Sequence, residues 1–196
     1  MSAPTVPRAG ASVNVLIGVD PVLCRPAPDA LSRAAHHAIR QAVVVEEQGV
    51  FALSDLDAHD ARDDVMHVLA LYDGRPAGTV RLYPVGSDEW LGDRLAVLPQ
   101  FRSANIGGPL VRFAVAAARA RGGRVMHAHV QVPNERFFHR LGWTTTGAVE
   151  TYVGRPHVPM DIALAPVCAW IAGVERATQA RGDHRGGHVA AVTIQP

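Results

Sequence analysis

Arg102, Asn105, Gly107 and Leu110 form the pattern R-x-x-N-x-G-x-x-L, between an apolar run and the start of a predicted helix. These residue types at that junction suit an anion. Backbone N–H groups at a helix start have no intrahelical partner, and the helix dipole favours negative charge there. Gly107 and Gly108 let the main chain approach a ligand without a Cβ clash. Arg102 supplies a charged fork for phosphate. Other phosphate-binding loops do not fit. A Walker loop requires Lys-Ser/Thr after its second glycine, and none follows here. The dinucleotide fingerprint G-x-G-x-x-G fails on spacing. On the loop alone, a strand-to-helix turn that merely needs glycine stands as an equal reading.

The remaining reactive side chains are scattered. His127 and His129 alternate onto one face of a predicted strand, but no third ligand has supporting spacing, so no metal site is assigned. His67 and His157 have no partner in the pattern. The two cysteines, Cys24 and Cys168, are far apart and form no CxxC pair, which fits a reducing cytoplasm.

The elements that must position the loop follow from periodicity. Residues 22–27 read as a short strand, and 29–48 as a helix capped by Asp29 with an apolar stripe through Leu31, Ala34, Ala35, Ala38, Ile39, Ala42 and Val43. An acidic loop spans 54–64. Strands are expected over 66–72, 78–85 and 90–97, joined by turn-forming "DGRPA" and "GSDE". A helix runs from Pro109, as its N1 residue, to Arg121, with Gly122 as its stop. A strand over 124–132, a short helix over 134–143 and two last strands, "AVETYVG" and "VPMDIALA", complete the order. This order predicts an α/β (α+β) layer architecture, with a mixed, mostly antiparallel sheet of six to seven strands flanked by helices.

The chain has 196 residues, 19 basic and 18 acidic side chains and a net charge of +1. The length suits one domain, read over 22–164, with a lead-in over 1–21 and a C-terminal helix and tail or linker over 165–196. The balanced charge advertises no nucleic-acid face. "VNVLIGV" is too short to cross a membrane, and the N-terminus lacks a signal-peptide pattern. The expected setting is the cytoplasm, with neither nucleic acid nor membrane as partner. Self-association as a homodimer is left open.

With these elements in place, the loop resembles the signature [Q/R]-x-x-G-x-[G/A] of the GNAT superfamily of acetyl-CoA-dependent N-acetyltransferases. Arg102, Gly107 and Leu110 match, and Asn105 stands for the first glycine. Asn is the non-glycine residue that best tolerates left-handed backbone. "DRLAVLP" (93–99) is similar to the strand before the family loop, and Asn134 with "RLGW" (140–143) to its later "N…LGF" element. The resemblance covers about residues 22–164 and implies the GNAT fold. More narrowly, "VVVEEQGVF", His67, "GTVRLY" and "NERFFHRLGW" resemble a bacterial subgroup associated with nitrogen starvation.

The resemblance implies acetyl-CoA as co-substrate, no metal, and direct acetyl transfer to an amine of a small molecule. It places pantetheine between the fourth and fifth strands, on the main chain of Leu95, Ala96 and Val97. Arg102, Asn105, Ile106, Gly107 and Gly108 would hold the pyrophosphate, and Asn134 would touch the pantetheine arm or cap its own helix. Glu47 is expected on the amine side as base or anchor, away from the phosphate loop. Asp93 is a second catalytic candidate. Asp93 and Arg94 are expected on opposite strand faces. Arg94 would bind a substrate carboxylate or pair with the acidic loop. The family Tyr that protonates the CoA thiolate is Phe138 here, so His139, Tyr152 or water substitutes, or the thiolate leaves unassisted. Two other readings are transfer of a longer acyl group, from CoA or a carrier protein, and a non-catalytic CoA-binding module.

Overall fold

Strand β2 (Met66–Tyr72) shows how alternation builds two cores from one sheet. Val68 and Ala70 face one apolar cluster, while Leu69 faces the other. The computed structural model describes residues 21–164. The lead-in up to residue 20 and the expected C-terminal helix and tail over 165–196 lie outside the described residues.

Eight strands form one sheet: β1 (Val22–Pro26), β2, β3 (Arg75–Pro84), β4 (Glu89–Val97), β5 (Val125–Gln131), β6 (Thr144–Thr145), β7 (Glu150–Tyr152) and β8 (Arg155–Ala163). The path is β1-β2-β3-β4-β5-β8-β6, with β7 also on β8. All pairs are antiparallel except β4 with β5. The expected mixed, mostly antiparallel sheet is present. The strand beyond the expected six to seven comes from two-residue β6, too short for a periodic signal.

Helix α1 (Ala30–Arg40) begins where Asp29 accepts the Ser32 N–H at 2.8 Å. The helix expected to run unbroken to residue 48 instead widens into a π-helical segment over Gln41–Glu47. Its end is marked by the Gln48 N–H donating to Val43 O. Such wide turns shift the register of the side chains that follow. Here the shift buries Val43 and Val45, and Val43 joins Ile39, Leu69 and Ala96 in the smaller core.

Helix α2 (Gly107–Ala120) starts two residues earlier than expected. Pro109 is therefore its third residue, still among the positions whose N–H would lack an intrahelical partner. Leu110 is fully buried against the sheet and anchors the phosphate-type loop. Truncating such a side chain costs about 2–5 kcal/mol. Gly122 closes the helix at φ +86°. Helix α3 (Glu135–Arg140) packs Phe138 against Trp143 in the main core.

No helix among the described residues is long and apolar enough to cross a membrane.

Candidate active site

The parallel pair β4–β5 is hydrogen-bonded only where Glu89–Leu91 faces Val125–His127. Beyond it, β4 continues to Val97 and β5 to Gln131 without pairing to one another. The sheet opens there like a V. Gly92 is the first β4 residue past the β5 pairing, and a Cβ on it would stand 2.5 Å from the Met126 methyl. Glycine therefore lets Met126 fill the base of the V.

Two cavities meet in this opening. The larger, about 720 Å³, is lined by Leu95, Ala96 and Val97 and by Asn105, Gly107 and Gly108. Arg102, Arg112 and Arg140 bring three guanidinium groups to it. The smaller, about 150 Å³, lies among Phe51, Gly92, Arg94, Ala128, His129 and Tyr152. Gln48, Leu95, Gln131 and Asn134 line both. At this junction Gln131 Nε2 donates to Gln48 Oε1 at 3.2 Å, joining β5 to the end of the π-helical segment.

The larger cavity collects every expected CoA-contacting residue except Ile106. The Ile106 side chain is fully buried in the core, and its carbonyl accepts the Leu110 N–H at 3.2 Å. Asn105 has φ +56°, the left-handed backbone the sequence anticipated. Asn134 occupies the N-cap position of α3 but makes no capping hydrogen bond, so the capping role is not realised. A Cβ on Gly107 would come within 3.3 Å of Phe137, which also lines this cavity. A helix start at Gly107 and three arginines fit a diphosphate-bearing ligand such as CoA. Sequence reading missed Arg112 and Arg140. Arg112 was legible, because it lies one helical turn after Gly108 and thus above the loop.

Glu47 corrects an expectation. It lies at the CoA-side cavity, with its carboxylate accepting from Arg102 Nη2 at 2.6 Å. The Arg102 hydrogen bond holds the Glu47 carboxyl below the usual carboxylate range. The π-helical segment turns residue 47 toward the phosphate loop, which straight helical spacing did not foresee.

Asp93 and Arg94 also differ from expectation. They share one side of β4, because a bulge sets Arg94 and Leu95 opposite Val80 and holds Arg94 at φ +53°. Arg94 pairs with Asp55 and Asp57 of the acidic loop, the structural alternative anticipated for it. Both Asp93 oxygens accept from the fully buried Arg81, at 2.8 and 2.6 Å. Both oxygens are thereby committed to the guanidinium, and the place of Asp93 is structural.

Arg40 and Arg81, both fully buried, extend this network to Asp55, Asp57 and Asp60. Burial pushes the Asp60 carboxyl up, but His67, Arg40 and a backbone hydrogen bond outweigh it and leave it well below the usual range. His37 and His67 approach Asp60, a grouping the sequence did not connect. Arg40 and Arg81 flank the same carboxylate, so their positive charge opposes a cation there. His36, fully buried beside them, donates through Nε2 to Val80 O at 3.4 Å. Burial, then the Arg40 charge, pushes its pKa down to about 2.

On β5, His127 and His129 share a face as expected, but each has its own acidic partner. His127 Nδ1 lies 2.8 Å from Asp161, and His129 Nδ1 lies 2.5 Å from Glu150. His129 stacks on Tyr152 at 4.4 Å between ring centroids. Phe138 forms part of the smaller cavity's wall, as does Tyr152. His139 lines neither cavity; its Nδ1 faces Trp143 O at 3.0 Å.

Known proteins agree with this architecture. The model of the acetyltransferase (GNAT) family matches residues 33–143. A Bacillus subtilis (strain 168) protein, named provisionally as an acetyltransferase, is 32% identical over 123 residues, covering 62% of this chain and 83% of its own. The structure of a Lactobacillus plantarum protein described as an N-acetyltransferase superposes with TM-score 0.67 at 27% identity, over 74% of this chain and 99% of that one. An aminoglycoside 6′-N-acetyltransferase complexed with coenzyme A shares the fold, with TM-score 0.61 at 14% identity over 74% of this chain and 98% of that one. The family match spans more than half of the chain, and the chain is a GNAT-family acetyltransferase.

Proposed function

We propose that this enzyme moves an acetyl group from acetyl-CoA directly to an amine of a small molecule. One observation carries the reading: the two cavities join where β4 and β5 part. The larger suits a long, phosphate-bearing donor, and the smaller leaves room for a compact acceptor. Acetyl-CoA would supply an activated acyl thioester. The main chain from Leu95 to Val97 would bind the pantetheine as an added strand, and an amide there would polarise the thioester carbonyl. Arg102, Arg112 and the amides from Asn105 to Gly108 would hold the phosphates. Asn134 and Gln131 stand at the junction, where the acyl group must cross.

Phe138 cannot donate a proton, so the thiolate departs without that side chain's help. A CoA thiol is a fair leaving group near neutral pH. The cytoplasm is the proposed setting. The segments "VVVEEQGVF", "GTVRLY" and "NERFFHRLGW" support an association with nitrogen starvation.

The test is release of free CoA thiol during incubation of the protein with acetyl-CoA and a panel of primary amines. Acceptor-dependent release supports the proposal. Tight CoA binding with no release across the panel would make the chain a CoA-binding module instead.

A further inference from the structure

We propose that His129, oriented by Glu150, is the base that takes the proton from the acceptor amine. This rests on the small-amine reading above and adds the residue that handles its proton.

Three features of the geometry carry it. A carboxylate only accepts, so the contact between His129 Nδ1 and Glu150 Oε1 places a hydrogen on Nδ1. In the neutral ring the lone pair then sits on Nε2. That nitrogen has no hydrogen-bond partner among the described residues, and the ring lines the acceptor cavity. Stacking on Tyr152, 8° from parallel, fixes the ring plane. A carboxylate behind an imidazole selects the tautomer and stabilises the imidazolium that forms.

The other candidates are spent or lack such support. Asp93 is held through both oxygens by Arg81, and Glu47 is tied to Arg102 on the CoA side. His157 Nδ1 faces the Arg155 carbonyl, which cannot offset a positive ring as a carboxylate does. The ionisable groups sharing the cavity with His129 are Asp93 and Arg94 from β4, Tyr152 from β7, and His157 from β8. Glu150 completes the set from β7.

The acceptor arrives as an ammonium and gives one proton to His129 Nε2. The freed nitrogen lone pair forms the C–N bond to the thioester carbonyl carbon. The C–S bond breaks with its electron pair on sulfur. The nitrogen's second proton ends on that sulfur, and the imidazolium returns its proton to solvent.

The test uses two amines of one shape: 2-phenylethylamine, mostly protonated near neutral pH, and its 2,2-difluoro analogue, whose amine is far less basic. His129→Gln should lower kcat with 2-phenylethylamine by about 100-fold or more, and much less with the fluorinated amine, which needs less help from a base. The KM for acetyl-CoA should stay unchanged. In Glu150→Gln, where the ring remains, kcat with 2-phenylethylamine should also fall, and by less than in His129→Gln. Nitrogen NMR of the imidazole should show the Nδ1–H tautomer in the wild type and its loss in Glu150→Gln. Equal losses with both amines, wild-type rates in His129→Gln, or an Nε2–H tautomer in the wild type would each overturn the role. Wild-type protein that binds acetyl-CoA yet releases no thiol with these two or with any other amine of the panel would overturn the small-amine reading itself.

Discussion

Arg102 and Glu47, 55 residues apart in sequence, meet at 2.6 Å and tie the phosphate-type loop to the end of the π-helical segment. Both side chains remain partly exposed, so solvent screens the pair and it contributes little to stability. Its consequence is for the ligand. An arginine meant for a phosphate is held by a carboxylate that repels the same phosphate.

Glu47→Gln should therefore tighten CoA binding, by about two- to fivefold. Calorimetry at low and high salt checks this, and the gain should shrink as salt rises. Weaker binding in the variant would mean that Glu47 helps to hold the ligand rather than compete with it.

Gly107→Val should fold and bind CoA at least about tenfold more weakly, ~1.4 kcal/mol. The added atoms start 3.3 Å from Phe137 and project at the rim of the larger cavity. Asn105→Gly should bind normally, since glycine enters the φ +56° backbone more easily. A thermal melt separates lost binding from lost folding.

Arg81→Met should destabilise the fold by about 3–5 kcal/mol, because Asp57, Asp60 and Asp93 lose a buried partner at once. Urea unfolding gives the number. A change below about 1 kcal/mol would show that water reaches these carboxylates and replaces the guanidinium.

His36 sets an acid limit. Its pKa is lowered to about 2 in the fold, against about 6.5 in an unfolded chain. The unfolded state therefore binds the extra proton between these values. Stability from the neutral ring is complete above pH ~6.5 and falls as pH drops below it, with a limiting slope near ~1.4 kcal/mol per unit. Denaturant midpoints measured from pH 7.5 to 5 should fall in the wild type and flatten in His36→Gln.

The sequence made the loop legible because its chemistry is local: Asn105 takes the left-handed backbone and the glycines open α2. Long-range geometry was hidden. The Arg94 bulge breaks strand alternation without a glycine to announce it, and so puts Asp93 and Arg94 on one side. The π-helical turn re-aimed Glu47. Residues 54–64 read as an acidic loop within reach of Arg94, but the approach of Arg40 from a separate element was not legible, and the two arginines together bury Asp55. The pairing of His129 with Glu150 required β7 to fold back onto β8, where residue 150 falls opposite His157.

The central claim is direct transfer where the two cavities meet. It is tested most directly by mixing the enzyme with acetyl-CoA labelled in the acetyl group and an accepted amine from the panel, then quenching within one turnover. Label should appear on the amine nitrogen at the rate of thiol release, with none on the protein, and Gly107→Val should slow both equally at low acetyl-CoA. Label on the protein that later moves to the amine, or thiol release without labelled amine, would contradict it.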